Sequence, residues 1–211
     1  MTQPLPRRFV HATSLIAGPM LFAVSSFFWT PEGTYGLVGG TTLLLGSVFW
    51  IVAFVALFDA LATRTPRYAA WGLLAAVYGC ICGGAAFAFQ DLFMALHGVT
   101  HDQALAALAA HPIVANVIFW IGGPAFPLTL LVLGIVLART GTAPWWAAAM
   151  LSAGGALFPV ARIPRIELVA HAVDLLMVVP TVYFAMNVLQ TGSIRAATNA
   201  QTRVGPASRV R

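Results

Sequence analysis

Four polar residues within one apolar run raise the first chemical question. Glu167, His171, Asp174 and Thr181 are separated by four, three and seven residues, so a helix carrying them puts all four on one face. At i and i+3, Asp174 can hydrogen-bond the His171 imidazole and hold it in one tautomer. A second set, Gln90, Asp91 and His97, closes another apolar run, with Gln90 and His97 seven apart on a common face. Ionisable groups in such runs face a bundle interior or a cavity and mark function by default. A carboxyl group kept away from water can stay protonated and deliver its proton to an alkene or epoxide. The sequence therefore predicts a catalytic group of Asp174, His171 and Asp91. Gln90, His97, Asn116, Trp120, Arg162, Arg165 and Glu167 are predicted to line the substrate site. The chemistry this suits is isomerisation or cyclisation of an isoprenoid-like hydrophobic molecule.

The elements that must position these groups can be read from composition. The 211 residues are 60% hydrophobic and 8% charged, with no lysine, and mean hydropathy is +0.87. That composition belongs in a lipid bilayer. Six segments are long enough to span: about 9–29, 36–60, 68–96, 112–138, 144–161 and 166–190. The run from Phe9 to Trp29 comes after Arg7 and Arg8 but lacks a small-x-small cleavage pattern, so it reads as an uncleaved first helix. The predicted fold is an all-α bundle of six transmembrane helices over 1–192, with a flexible basic tail over 193–211. In that layout nine of eleven arginines fall on one side and only Arg162 and Arg165 on the other. The positive-inside rule then puts both termini in the cytoplasm and the polar site at the outer side. The net charge of +5 comes from these topology-setting arginines, which argues against a nucleic-acid partner.

Other readings of the same residues carry their own expectations. His171 with His97 or His111 could ligate haem between helices, although no spacing matches a strong metal signature, and no bound metal is predicted. SLIAGPMLF near the first helix and FWIGGPAFP near the fourth could mark an inverted three-helix repeat, hence a small transporter that dimerises to enclose a path. Pro124 and Pro127 free carbonyls in mid-span, which a neighbour, water or ligand must satisfy. A non-catalytic accessory protein is the remaining reading. In it, Arg162 and Arg165 are interfacial anchors paired with Glu167 and Glu32, Asp59 pairs with Arg64 or Arg67, and His11 snorkels to the interface. Cys80 and Cys82, two apart, are packing residues, and glycine pairs at 83–84 and 154–155 allow close helix approach. Walker, HExxH, CxxC, GxSxG and dinucleotide motifs are absent from the sequence.

The runs AGPMLFAVSSFFW, TPRYAAWGLLAAVYG and RIPRIELVAHAVDLL resemble those of uncharacterised six-pass bacterial inner-membrane proteins. That resemblance implies the six-span topology and a bacterial inner-membrane location. The group has no known activity, so no functional residue is carried over.

Overall fold

The computed structural model describes residues 4–194, so the basic tail predicted over 193–211 lies outside the described residues from 195 onward. Among the described residues the chain forms helices and short connectors, without strands. The helices are α1 (Leu5–Ser26), α2 (Gly36–Leu61), α3 (Pro66–Cys80), α4 (Ala86–His97), α5 (His101–Ala109), α6 (Pro112–Ala115), α7 (Gly122–Arg139), α8 (Trp145–Arg162) and α9 (Glu167–Thr191). Proline opens several of them: Pro66 and Pro112 occupy first-turn positions, where no backbone donor is needed. Left-handed Gly98 and Gly192 close α4 and α9, and a Thr100–Gln103 capping box starts α5.

Two π-helical turns fuse neighbouring helices into longer rods. Ile81–Ala85 joins α3 to α4, and Asn116–Ile121 joins α6 to α7. Five rods are long and apolar enough to cross a membrane: α1, α2, the continuous Pro66–His97, the continuous Pro112–Arg139, and α9. The sixth rod, α8, has 18 residues that include Gly154, Gly155, Pro159 and Arg162. Successive rods pack side by side, and α9 closes back onto α1, so the six form a ring in chain order with alternating direction. This order rules out the inverted repeat. A two-fold axis lying across the bundle would reverse the direction of travel around the ring, whereas α7, α8 and α9 continue it.

Aromatic side chains from four rods fill the middle of the ring. Phe126 of α7 sits 5.3 Å from Phe22, 5.4 Å from Trp50 and 5.3 Å from Phe158 by ring centroids, and all but Phe158 are fully buried. Rods approach closely where glycine allows it. A Cβ at Gly79 would collide with the Phe126 backbone, and one at Gly155 would lie 2.6 Å from the Pro127 carbonyl. The broken rod Pro112–Arg139 has a partner for one of its carbonyls: the Tyr78 hydroxyl of α3 donates to the Val117 carbonyl in the π turn. Tyr78→Phe is expected to cost about 1 kcal/mol, the usual net value of such a bond. A drop of a few degrees in thermal midpoint in detergent would show it, and no change would mean that helical donors already satisfy Val117.

The two ends of the ring differ in charge. Arg7, Arg64, Arg67 and Arg139 lie at one end, where Arg7 pairs with Asp59 and Arg64 donates to the Thr140 carbonyl. Arg8 lies at the same end, its guanidinium against Gly192. Asp59 thus makes an end-of-helix ion pair, with Arg7 rather than Arg64 or Arg67. His11 is buried at 4% exposure instead of reaching outward, because α1 turns that face onto its neighbours. Arg162 and Arg165 lie at the opposite end, where the polar groups gather.

Candidate functional site

At this opposite end four rods and the connector between α1 and α2 contribute to one buried chain of polar contacts. Asp174 of α9 is the acceptor at its centre. Its Oδ1 takes a hydrogen bond from Arg162 Nη2 at 2.6 Å, and its Oδ2 takes one from Ser26 Oγ at 2.8 Å. The ion pair is dry, with Arg162 8% and Asp174 3% exposed. Arg162 Nη1 donates to the Tyr35 hydroxyl at 2.9 Å, and the Tyr35 backbone N–H donates to Asp91 Oδ2 at 2.6 Å. The chain of contacts therefore runs Ser26, Asp174, Arg162, Tyr35, Asp91. Among the described residues no cation lies within ion-pair distance of Asp91, which is 5% exposed.

Aromatic rings wall this cluster. The Arg162 guanidinium stands 5.4 Å from the centre of the Trp29 ring and 5.2 Å from that of Phe158, both within cation–π range. Trp29 and Tyr35 meet edge to face at 5.9 Å. Two buried donors here have no protein partner: Arg162 Nε and Trp29 Nε1. Buried polar groups in native proteins are nearly always bonded, so a pair of orphaned donors in one cluster calls for an acceptor.

The connectors explain how these groups meet. The turn after α1 returns the chain through Gly33 at φ 75°, so that Tyr35 faces back over the ring. Arg165 adopts a left-handed φ of 54° in the turn between α8 and α9, and its side chain lies against Gly33. A Cβ at Gly33 would come within 3.0 Å of Arg165 Cδ, so glycine is required there twice over, by its dihedral and by space. Glu32, fully exposed in the same turn, is held below the ordinary carboxylate range by its own backbone amide and the Thr30 hydroxyl.

The remaining sequence-predicted residues depart from the expected arrangement. The His171–Asp174 hydrogen bond does not form. His171 instead stacks on Phe27 at 4.0 Å, and its Nδ1 is buried without a partner. Arg162 takes the carboxylate because a guanidinium carries a permanent charge and a planar fork of donors that matches a carboxylate. Asp174 therefore acts as an acceptor toward protein groups, and Asp91 is joined to it through Tyr35 and Arg162 rather than across an open pocket. Glu167 is exposed in the first turn of α9, where a carboxylate suits the positive end of the helix, and it does not share the buried face. It pairs with neither arginine, and Arg162 is a buried core group rather than an interfacial anchor. His97 is exposed against Phe93, Asn116 is exposed at the start of its π turn, and Trp120 is 72% exposed on the outer surface. Gln90 and His111 line a separate groove between α4 and α5. Among the described residues no three His, Cys, Asp or Glu side chains converge as metal ligands.

Ser26, Trp29 and Tyr35 are the members that sequence reading missed. The available signal was the pair of aromatics bracketing the turn TPEGT, both at a helix boundary. Comparison of the chain with protein-family models, curated proteins and solved structures gives no match.

Proposed function

We propose that this is a six-pass protein of the bacterial inner membrane, with cytoplasmic termini, whose buried cluster at the outer end binds the polar group of a hydrophobic small molecule. The observation that carries the ligand is the orphaned pair of donors, Arg162 Nε and Trp29 Nε1, inside an otherwise closed aromatic cluster. Each unsatisfied buried donor costs about 1–3 kcal/mol, and a ligand acceptor bonded to it offsets that cost. Asp174 fixes the guanidinium, so its role is to position Arg162. Asp91 accepts from the Tyr35 amide and has no ion-pair partner among the described residues. It is the better candidate to exchange a proton with a bound isoprenoid-like molecule, should the ligand be converted. Trp29→Phe keeps the ring and removes one donor. It is expected to leave the bundle folded while depleting a discrete small molecule from the mass spectrum of organic extracts of protein purified in mild detergent. Equal extracts from both proteins would overturn the reading.

Support for the sixth span comes from α8, which packs between α7 and α9 and turns Trp145, Leu157 and Val160 outward with 43–77% exposure. A surface so apolar suits lipid. With Arg7, Arg8, Arg64, Arg67 and Arg139 at the other end, the positive-inside rule places Arg162 outside. A cysteine replacing exposed Pro164 should react with an impermeant thiol reagent added to intact cells, and one replacing Gly141 should not. The reverse pattern would invert the topology.

The accessory-protein reading is favoured by one observation: Asp174 is satisfied from both sides, by Arg162 and by Ser26, as a purely structural clasp would be.

A further inference from the structure

At the end of the ring remote from Asp174, three arginines from two neighbouring turns stand together. Arg64 lies between α2 and α3, Arg67 in the first turn of α3 and Arg139 in the last turn of α7, and all three are exposed. Arg64 donates to the Thr140 carbonyl, which ties the two turns to each other. Rods α3 and α7 pack together, with Gly79 closed on the Phe126 backbone. Arg67 precedes Gly79 by twelve residues and Arg139 follows Phe126 by thirteen, so in antiparallel helices both arginines reach nearly the same depth. The chain holds no side-chain carboxylate for them. Of its six acidic residues, Glu32, Asp91, Asp102, Glu167 and Asp174 lie toward the opposite end, and Asp59 is taken by Arg7. The segment 195–211 adds four arginines and no acid. Helix stability does not account for Arg67 either, since a cation in the first turn meets the positive end of α3.

We propose that Arg64, Arg67 and Arg139 hold the phosphate of an anionic phospholipid whose chains lie along the adjoining outward faces of α3 and α7. Both faces run from an arginine into apolar surface. On α3, Trp71 and Leu74 follow Arg67 at helical spacing and are 73% and 58% exposed. On α7, Ile135, Val132 and Leu128 precede Arg139 on one face and are 40–56% exposed. Topology alone would be served by arginines anywhere at this end, whereas a phospholipid needs cations at the head of an apolar face. Charge complementarity selects the occupant. A guanidinium cannot give up its proton and its planar fork matches phosphate oxygens, and basic sites between spans at the cytoplasmic surface take anionic head groups. Trp71, one turn deeper than Arg67, sits where an indole favours the membrane interface. The inference rests on the bundle's seat in a membrane and is independent of the ligand proposed for the Arg162 cluster, which lies at the other end of the ring.

The test is native mass spectrometry of the full chain in mild detergent, titrated with palmitoyl-oleoyl phosphatidylglycerol or with phosphatidylcholine carrying the same chains. The first phosphatidylglycerol is expected to bind at least about tenfold more tightly than phosphatidylcholine. Each arginine at such a surface is worth about fivefold in affinity, so Arg67→Gln with Arg139→Gln should weaken phosphatidylglycerol at least about tenfold and leave phosphatidylcholine unchanged. Arg67→Gln alone serves if the double variant does not accumulate, with a loss of about threefold or more expected. Arg203→Gln with Arg209→Gln removes equal charge from the tail and should leave the affinity unchanged. Millimolar glycerol 3-phosphate should not displace the lipid, because it lacks the chains. Trp29→Phe should also leave lipid affinity unchanged, which separates failure here from failure at the Arg162 cluster. Equal affinity for the two lipids, a loss as large in the tail variant as in the Arg67 and Arg139 variant, or full displacement by glycerol 3-phosphate would each overturn the proposal.

Discussion

Replacing Arg162 by alanine is expected to destabilise the bundle by about 3–5 kcal/mol, because it strands the Asp174 carboxylate without its cation in a dry interior. Asp174→Asn should do comparable damage from the other side, leaving a buried guanidinium uncompensated. The paired replacement Arg162→Met with Asp174→Leu is expected to recover most of that loss, since two apolar side chains of similar volume remove both desolvation costs together. Thermal or denaturant unfolding in detergent of the two single variants and the double variant closes the cycle. A double variant as unstable as either single one would mean that the bonds to Tyr35 and Ser26, rather than the uncompensated charge, hold this end of the ring. The rescued protein also separates fold from function, because it should be stable and yet lack the Arg162 donor.

Phe126→Ala should be nearly as damaging. Phe126 is fully buried and is the ring on which Phe22, Trp50, Phe54 and Phe158 converge from three other rods. Its removal leaves a cavity that backbones held close by Gly79 and Gly155 have little freedom to collapse, so the expected cost is about 3–5 kcal/mol. Phe126→Leu, which keeps most of the volume, should cost clearly less. Unfolding measured by loss of tryptophan signal would track both. A loss under about 1 kcal/mol for the alanine variant would show that the ring centre is loosely packed.

The helical segments were legible because long apolar runs interrupted by proline, glycine and arginine leave few other folds. Their boundaries fall close to Pro66, Pro112, Gly98 and Gly192. The π turns were not legible, since ICGGA and NVIFWI carry no periodic mark, and they disturb the predicted faces. His97 lies outside the polar cluster for a simpler reason, since six residues at about 100° each turn it well away from Asp91 on the same helix, while Trp120 lies within the second π turn itself. Asp91, Asp174 and Arg162 stood out as charges in apolar surroundings. Their partners did not, because Ser26 and Tyr35 lie 148 and 127 residues from the groups they bond. Only ring closure of α9 onto α1 makes those contacts, and local spacing pointed to His171 instead.

The ligand reading rests on what satisfies two unpartnered nitrogen atoms, Arg162 Nε and Trp29 Nε1. An experimental density map of the protein purified in mild detergent, at a resolution that places ordered waters, would show it directly. The predicted result is an elongated molecule with an oxygen within about 3 Å of Arg162 Nε or Trp29 Nε1. A single water bonded to both donors, with no further density attached, would contradict ligand binding and make the cluster a clasp that holds the ring closed.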